Sequence, residues 1–177
     1  FVIRLARIRD PAIMSAAEVK GRVPRGRTAL VMPIYNEDTA RVAAGLDVIW
    51  RSLSAQPGAE RFDLFILSDT RDERIACAER AMWRALVTRH RAQGRIFYRR
   101  RAQNIGRKAG NIADFVRNWG AAYDYMVVLD ADSIMTGEAL VTLACLMDAH
   151  PRAGIIQTVP LPAGRETLFA RMVQFAS

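Results

Sequence analysis

Short apolar runs alternate along this chain with stripes of apolar residues at helical spacing. Residues 28–33, TALVMP, form the first run, and Asn36-Glu37-Asp38 behind it predicts an N-cap with acids in the first helical turn. Val42, Leu46, Ile49 and Leu53 then follow at helical spacing until Pro57-Gly58. The second run, Phe62-Asp63-Leu64-Phe65-Ile66-Leu67, leads into a helix carrying Ile75, Met82 and Leu86 and closed by Gly94. A strand over residues 95–99, a polar loop, and a helix with Ile112, Phe115, Val116 and Trp119 make the third unit. The fourth opens with YMVVL at residues 125–129, and its helix, with Leu140, Leu143, Ala144 and Met147, stops before Pro151. Residues 154–159 predict a fifth strand. Nearly continuous apolar runs suit parallel strands buried on both faces. Their alternation with helices implies an α/β domain, an open and mostly parallel sheet flanked by helices. Trp50, Trp83 and Trp119 lie on the helical stripes and read as core.

A length of 177 residues, 51% of them hydrophobic, fits one soluble globular domain. The 26 Lys and Arg against 18 Asp and Glu leave a net charge of +8, which attracts phosphates, nucleic acid or anionic lipid without choosing among them. Cys77 and Cys145 have neither CxxC spacing nor a partner His and read as reduced core thiols of a cytosolic protein. His90 and His150 sit at predicted helix ends, where a dipole partner or a solvated ring is expected rather than a metal ligand. No apolar run approaches the ~18 residues of a membrane span, and no signal peptide is recognisable. Residues 1–27 read as a basic lead-in, either an ordinary tail or a juxtamembrane flank, with Arg4, Arg7 and Arg9 after Phe1-Val2-Ile3. The opening without Met and a helical pattern over residues 166–177 suggest an excerpt of a longer protein.

In an open parallel sheet, ligands bind outside the carboxyl ends of the strands. The polar groups there are Tyr35-Asn36-Glu37, Ser68-Asp69-Thr70, the loop at residues 99–111, and Asp130-Ala131-Asp132. Residues i and i+2 of an extended segment point the same way, so Asp130 and Asp132 are expected to present both carboxylates to a cation. Oxygen ligands without His or Cys favour Mg²⁺ or Mn²⁺; the same residues also suit an ordinary turn. Arg99, Arg100, Arg101, Arg107 and Lys108 run into Ala109-Gly110-Asn111 at a helix start. A diphosphate could lie there, with Gly110 allowing close backbone approach, or the loop could simply be solvated. Asp69 could accept the imide N–H of uracil and Tyr35 could offer its ring to the base. Alternatively Asp69 caps a helix, Glu37 is a first-turn acid and Tyr35 packs.

MPIYNED, ILSDT, RKAGNIADF, VVLDADS and GIIQTVP, in this order and spacing, resemble the family 2 glycosyltransferases of the GT-A fold, and more closely those that build osmoregulated periplasmic glucans at the bacterial inner membrane. The resemblance covers residues 28–177 and implies a truncated, Rossmann-like GT-A domain, the nucleotide-sugar-binding part. It implies UDP-glucose as donor, a divalent ion on the DxD, a growing glucan as acceptor, and inverting transfer to a β-1,2-glucan. By motif, Asp69 would recognise uracil, Lys108, Gly110 and Asn111 would line the diphosphate, Asp130 and Asp132 would hold ribose, diphosphate and metal, and Tyr35 and Glu37 would sit against the nucleoside. Where many relatives have two acids and a glycine, this chain has Ser68-Asp69-Thr70, with one carboxylate. The general base for the acceptor hydroxyl and the membrane helices are expected beyond Ser177, so the parent would work on the cytoplasmic face of the membrane while this part stays soluble.

A phosphohydrolase of the haloacid dehalogenase type would place its aspartate pair after an early strand and follow it with further acids, whereas three β-α units precede Asp130. A nucleic-acid module would interleave aromatics with the cations, and residues 99–111 contain none. Neither pattern matches, so no nucleic acid partner is expected.

Overall fold

The structure is a computed structural model that describes residues 2–5 and 12–158, with side chains described over residues 15–158. Two short strands, β1 (Val2–Leu5) and β2 (Ala12–Ser15), pair antiparallel within residues 1–27. Then come β3 (Thr28–Ile34), α1 (Thr39–Ser54), β4 (Phe62–Ser68), α2 (Glu73–His90), β5 (Ile96–Arg100), α3 (Arg107–Trp119), β6 (Tyr125–Val128), α4 (Gly137–Ala149) and β7 (Ile156–Thr158). The helix pattern over residues 166–177 and the end of GIIQTVP lie outside the described residues.

β3, β4, β5 and β6 form a parallel sheet in the order β5-β4-β3-β6. Every residue of β4 is buried, as expected of a central strand covered on both faces. Successive strand residues face opposite ways, and the core divides accordingly. Leu30, Met32, Ile34, Leu64 and Ile66 pack against the apolar stripes of α1, α2 and α4, while Ala29, Val31, Phe65 and Leu67 pack against Phe115 of α3. The fifth strand departs from expectation. β7 leaves the parallel sheet and pairs antiparallel with β1, giving a second sheet ordered β2-β1-β7.

Three smaller expectations also change. The N-cap of α1 is Asp38, whose side chain accepts from the Ala40 and Arg41 N–H groups, and this leaves Glu37 outside the helix. Cys77 is exposed because α2 turns Ala76, Glu79, Met82 and Leu86 inward; Cys145 is buried as expected. Trp50 is core and Trp83 half-buried, its Nε1 donating to the Ile96 carbonyl, but Trp119 is 41% exposed at the end of α3. Among the described residues, no helix is long and apolar enough to cross a membrane.

Candidate active site

Because β3 to β6 are parallel, their carboxyl ends share one edge. The chain moves from β3 outward to β4 and β5, then returns to the other side of β3 as β6. The reversal leaves a crevice at the ends of β3 and β6. A cleft of about 840 Å³ opens there, lined by Pro33, Ile34, Tyr35 and Glu37 after β3, by Asp69 and Arg71 after β4, by Lys108 and Asn111 of α3, and by Asp130, Ala131 and Asp132 after β6. Arg41 of α1, together with Asn104 and Arg107, completes the wall.

Asp130 and Asp132 line this one cleft by a geometry other than the expected extended segment. β6 ends at Val128, and the Ser133 N–H donates to the Asp130 carbonyl at 3.1 Å, so the two acids flank a turn. Both side chains are exposed, and Asp130 is held in an ion pair by Lys108. Only two carboxylates stand together, and among the described residues no group of three or more His, Cys, Asp or Glu could hold a metal.

Asp69 is 4% exposed. It does not cap a helix, since Asp72 caps α2; instead it takes a two-pronged ion pair from Arg101, with Nη2 to Oδ2 at 2.9 Å. Arg101 also donates to the Ile105 and Arg107 carbonyls, each at 2.9 Å, and so folds the loop that starts α3. The hydrogen bonds that Arg101 donates to Asp69 raise the Arg101 pKa above its ordinary value. Tyr35, 49% exposed, stands at the mouth.

The basic loop is thinner than its sequence suggests, because β5 runs on to Arg100 and points its cations into the protein. Arg99 meets Asp114 at 2.6 Å and the Asn111 side chain at 2.6 Å, and Arg100 meets Glu73 at 2.6 Å. With Arg101 on Asp69, three of the five cations are committed, and Arg107 and Lys108 remain in the cleft wall. Asn111 reaches the wall but is fully buried, and its amide donates to the Leu67 carbonyl at 2.9 Å. Gly110 lies outside the lining. A Cβ there would sit 1.9 Å from the Ile105 carbonyl oxygen, so its missing side chain admits the loop backbone. The sequence reading missed Arg41 and Arg71, and reached Asn104 only as part of the loop at residues 99–111. Arg71 directly follows a strand-end motif and Arg41 lies in the first turn of α1, so widening the strand-end rule by one turn would have found both.

A parallel sheet with an acidic pair and a basic helix start on its carboxyl edge is the arrangement of a GT-A-like nucleotide-sugar transferase. The sequence profile of Glycosyl transferase family 2 matches residues 29–175, and the chain belongs to that family. It is 53% identical over 163 residues, 92% of its length, to the Glucans biosynthesis glucosyltransferase H of Pseudomonas putida, and 51% identical over 171 residues, 96% of its length, to that of Klebsiella pneumoniae. It spans 19% and 20% of those two relatives, about a fifth of their length. Among solved structures it is similar in fold to a mannosyltransferase from Pyrobaculum calidifontis in complex with GDP-Man and Mn²⁺, with a TM-score of 0.54 and 16% identity, covering 75% of this chain and 37% of that one.

Proposed function

We propose that the cleft is the donor site for UDP-glucose, with Mg²⁺ or Mn²⁺ held by Asp130 and Asp132. The parent enzyme would build the β-1,2-linked backbone of osmoregulated periplasmic glucans by inverting transfer at the cytoplasmic face of the bacterial inner membrane. Residues 28–177 are its nucleotide-sugar-binding part, and residues 1–27 a basic lead-in to flanking segments that meet the membrane. The observation that carries the reading is the gathering of Tyr35, Asp69, Lys108, Asp130 and Asp132 from four separate segments into one cleft. The names of the relatives support a glucan product, and the Mn²⁺ of the mannosyltransferase supports a divalent ion.

The donor set fits such an ion. Two exposed carboxylates on one turn leave coordination positions for water and for phosphate oxygens, as hard cations with few protein ligands require. Four carboxylates, Glu37, Asp69, Asp130 and Asp132, face four cations, Arg41, Arg71, Arg107 and Lys108, so a divalent ion tips the lining toward positive charge and suits a diphosphate. When bound, the ion would stabilise the departing nucleoside diphosphate. Lys108 and Arg107 take phosphate oxygens at the start of α3. Asp69, oriented by Arg101, retains lone pairs for the uracil imide, and Tyr35 covers the base. Asn111 acts from behind by fixing α3 to β4, and Gly110 by letting the loop close. Glu37 lies beside the nucleoside.

Binding is tested by calorimetry with UDP and UDP-glucose in Mg²⁺ or Mn²⁺, with GDP as competitor and EDTA as control. Binding should vanish on chelation and favour UDP over GDP. Equal affinity in EDTA would overturn the ion's role, and equal affinity for GDP the role of Asp69. The base for the acceptor lies outside these residues, so labelled UDP-glucose should yield at most slow hydrolysis and no glucan. Glucan made by this chain alone would overturn that assignment and point to Glu37.

A further inference from the structure

Behind the cleft, Glu79 of α2 is 1% exposed, and among the described residues no cation pairs with it. Three hydroxyls close around its carboxylate instead. Ser68 Oγ donates to Oε2 at 2.7 Å, Tyr98 Oη to Oε2 at 2.9 Å and Thr70 Oγ1 to Oε1 at 2.6 Å. Burial and the Glu79 carboxylate hold the Tyr98 phenol protonated, its pKa pushed up to about 12, so it serves as a donor. In the extended segment Ser68-Asp69-Thr70 the outer two residues face Glu79, and Asp69 faces the other way, to Arg101.

A carboxylate can only accept, so each hydroxyl must spend its hydrogen on it and turn its lone pairs elsewhere. Thr70 Oγ1 accordingly accepts the Asn36 N–H at 3.0 Å, and Ser68 Oγ accepts the Thr70 N–H at 3.2 Å. Asn36, in the left-handed region at φ 54°, is the residue on which the chain turns after Tyr35. One buried side chain thereby sets the donor direction that joins the loop after β3 to the loop after β4.

We infer that Glu79 is a positioning residue of the nucleoside subsite: through Ser68 and Thr70 it fixes Asp69 and the Tyr35-Asn36 turn against each other. The inference rests on the donor-site reading for the identity of the ligand, while the joining of the two loops stands on the hydrogen bonds alone. It also accounts for the sequence of the motif, in which hydroxyl residues flank the single carboxylate.

Glu79→Gln keeps the shape but puts a donor where a hydroxyl must donate. Two measurements on Glu79→Gln and Thr70→Val, each with a native far-ultraviolet circular dichroism spectrum, separate the claims. By amide hydrogen exchange, Asn36 should lose protection by roughly tenfold in both, with the β3 amides unchanged, and Thr70→Ser should keep it. By calorimetry in Mn²⁺, both variants should bind UDP about tenfold more weakly yet bind inorganic pyrophosphate like the parent. Unchanged Asn36 exchange would overturn the inference, as would parallel loss of pyrophosphate. If the parent bound no UDP while Asn36 responded as expected, the donor-site reading would fall and the coupling of the two loops would stand.

Discussion

Lys108 and Asp130 pair at the mouth of the cleft with side chains 52% and 59% exposed, and each is the group that the other's ligand needs. An ion approaching Asp130 must displace the ammonium, and a diphosphate must draw it across. Lys108→Ala should therefore act oppositely on the two ligands. Mn²⁺ alone, followed by electron paramagnetic resonance, should bind about two- to fivefold more tightly, the range for loss of an exposed ion pair. UDP in the presence of Mn²⁺ should bind about tenfold more weakly, with uridine unchanged. Weaker Mn²⁺ binding by the variant would remove Lys108 from competition for Asp130. The acids of this site were legible in the sequence because strand ends in a parallel sheet are predictable places. Which cations stay in the cleft wall was not, because Asp69, Glu73 and Asp114, which bind Arg101, Arg100 and Arg99, come from other segments. Glu79 stayed hidden for the same reason, as an acid on a helix that reads as solvated until its three hydroxyl partners are known.

Helix α4 crosses α1 so closely that a Cβ on Gly137 would lie 2.3 Å from the Ser52 carbonyl oxygen and 2.5 Å from Leu53 Cα. The Gly137 N–H also donates to Ser52 Oγ at 2.9 Å. Backbone cannot yield as a side-chain tip can, so Gly137→Ala should cost about 1–3 kcal/mol, the range for overpacking. That lowers the melting temperature by roughly 2–12 °C for a chain of this size. Since no α4 residue lines the cleft, UDP affinity of the folded variant should equal the parent's. An unchanged melting temperature would mean that α4 is not seated on α1. At this scale the four β-α units were legible, because strands buried on both faces and one-sided helices leave unmistakable patterns. β7 was legible as a strand but not in its pairing, since its antiparallel partner, β1, lies about 150 residues away, a pairing no local pattern carries.

Three of the four tyrosines tie distant parts of the molecule together, each donating its hydroxyl to a carboxylate. Tyr98 donates to Glu79, Tyr123 to Asp63 and Tyr125 to Asp148, all at 2.9 Å. Asp63 also binds Arg27 and Arg95, and Asp148 accepts the Arg25 and Gly26 N–H groups, so two of these contacts anchor the chain entering β3 to the base of the sheet. Burial, reinforced by the neighbouring carboxylate, pushes the Tyr98 and Tyr125 phenols up to about 12 and the Tyr123 phenol further in the same direction. An unfolded tyrosine ionises near 10. The folded chain therefore holds protons that the unfolded chain releases first. The stabilisation is fully present below pH 10 and is lost as the pH rises from there through the folded values. Urea unfolding at successive pH values should show a midpoint independent of these groups up to about pH 9.5 and falling steadily above it. Tyrosinate absorbance should rise late in the native chain and near pH 10 in urea. Tyr123→Phe, which keeps the ring against Phe65 and Phe115, should flatten part of that alkaline slope. A native titration coinciding with that in urea would mean that these phenols are not bound to their carboxylates in solution, and the anchoring of residues 25–27 beneath the sheet would lose its support.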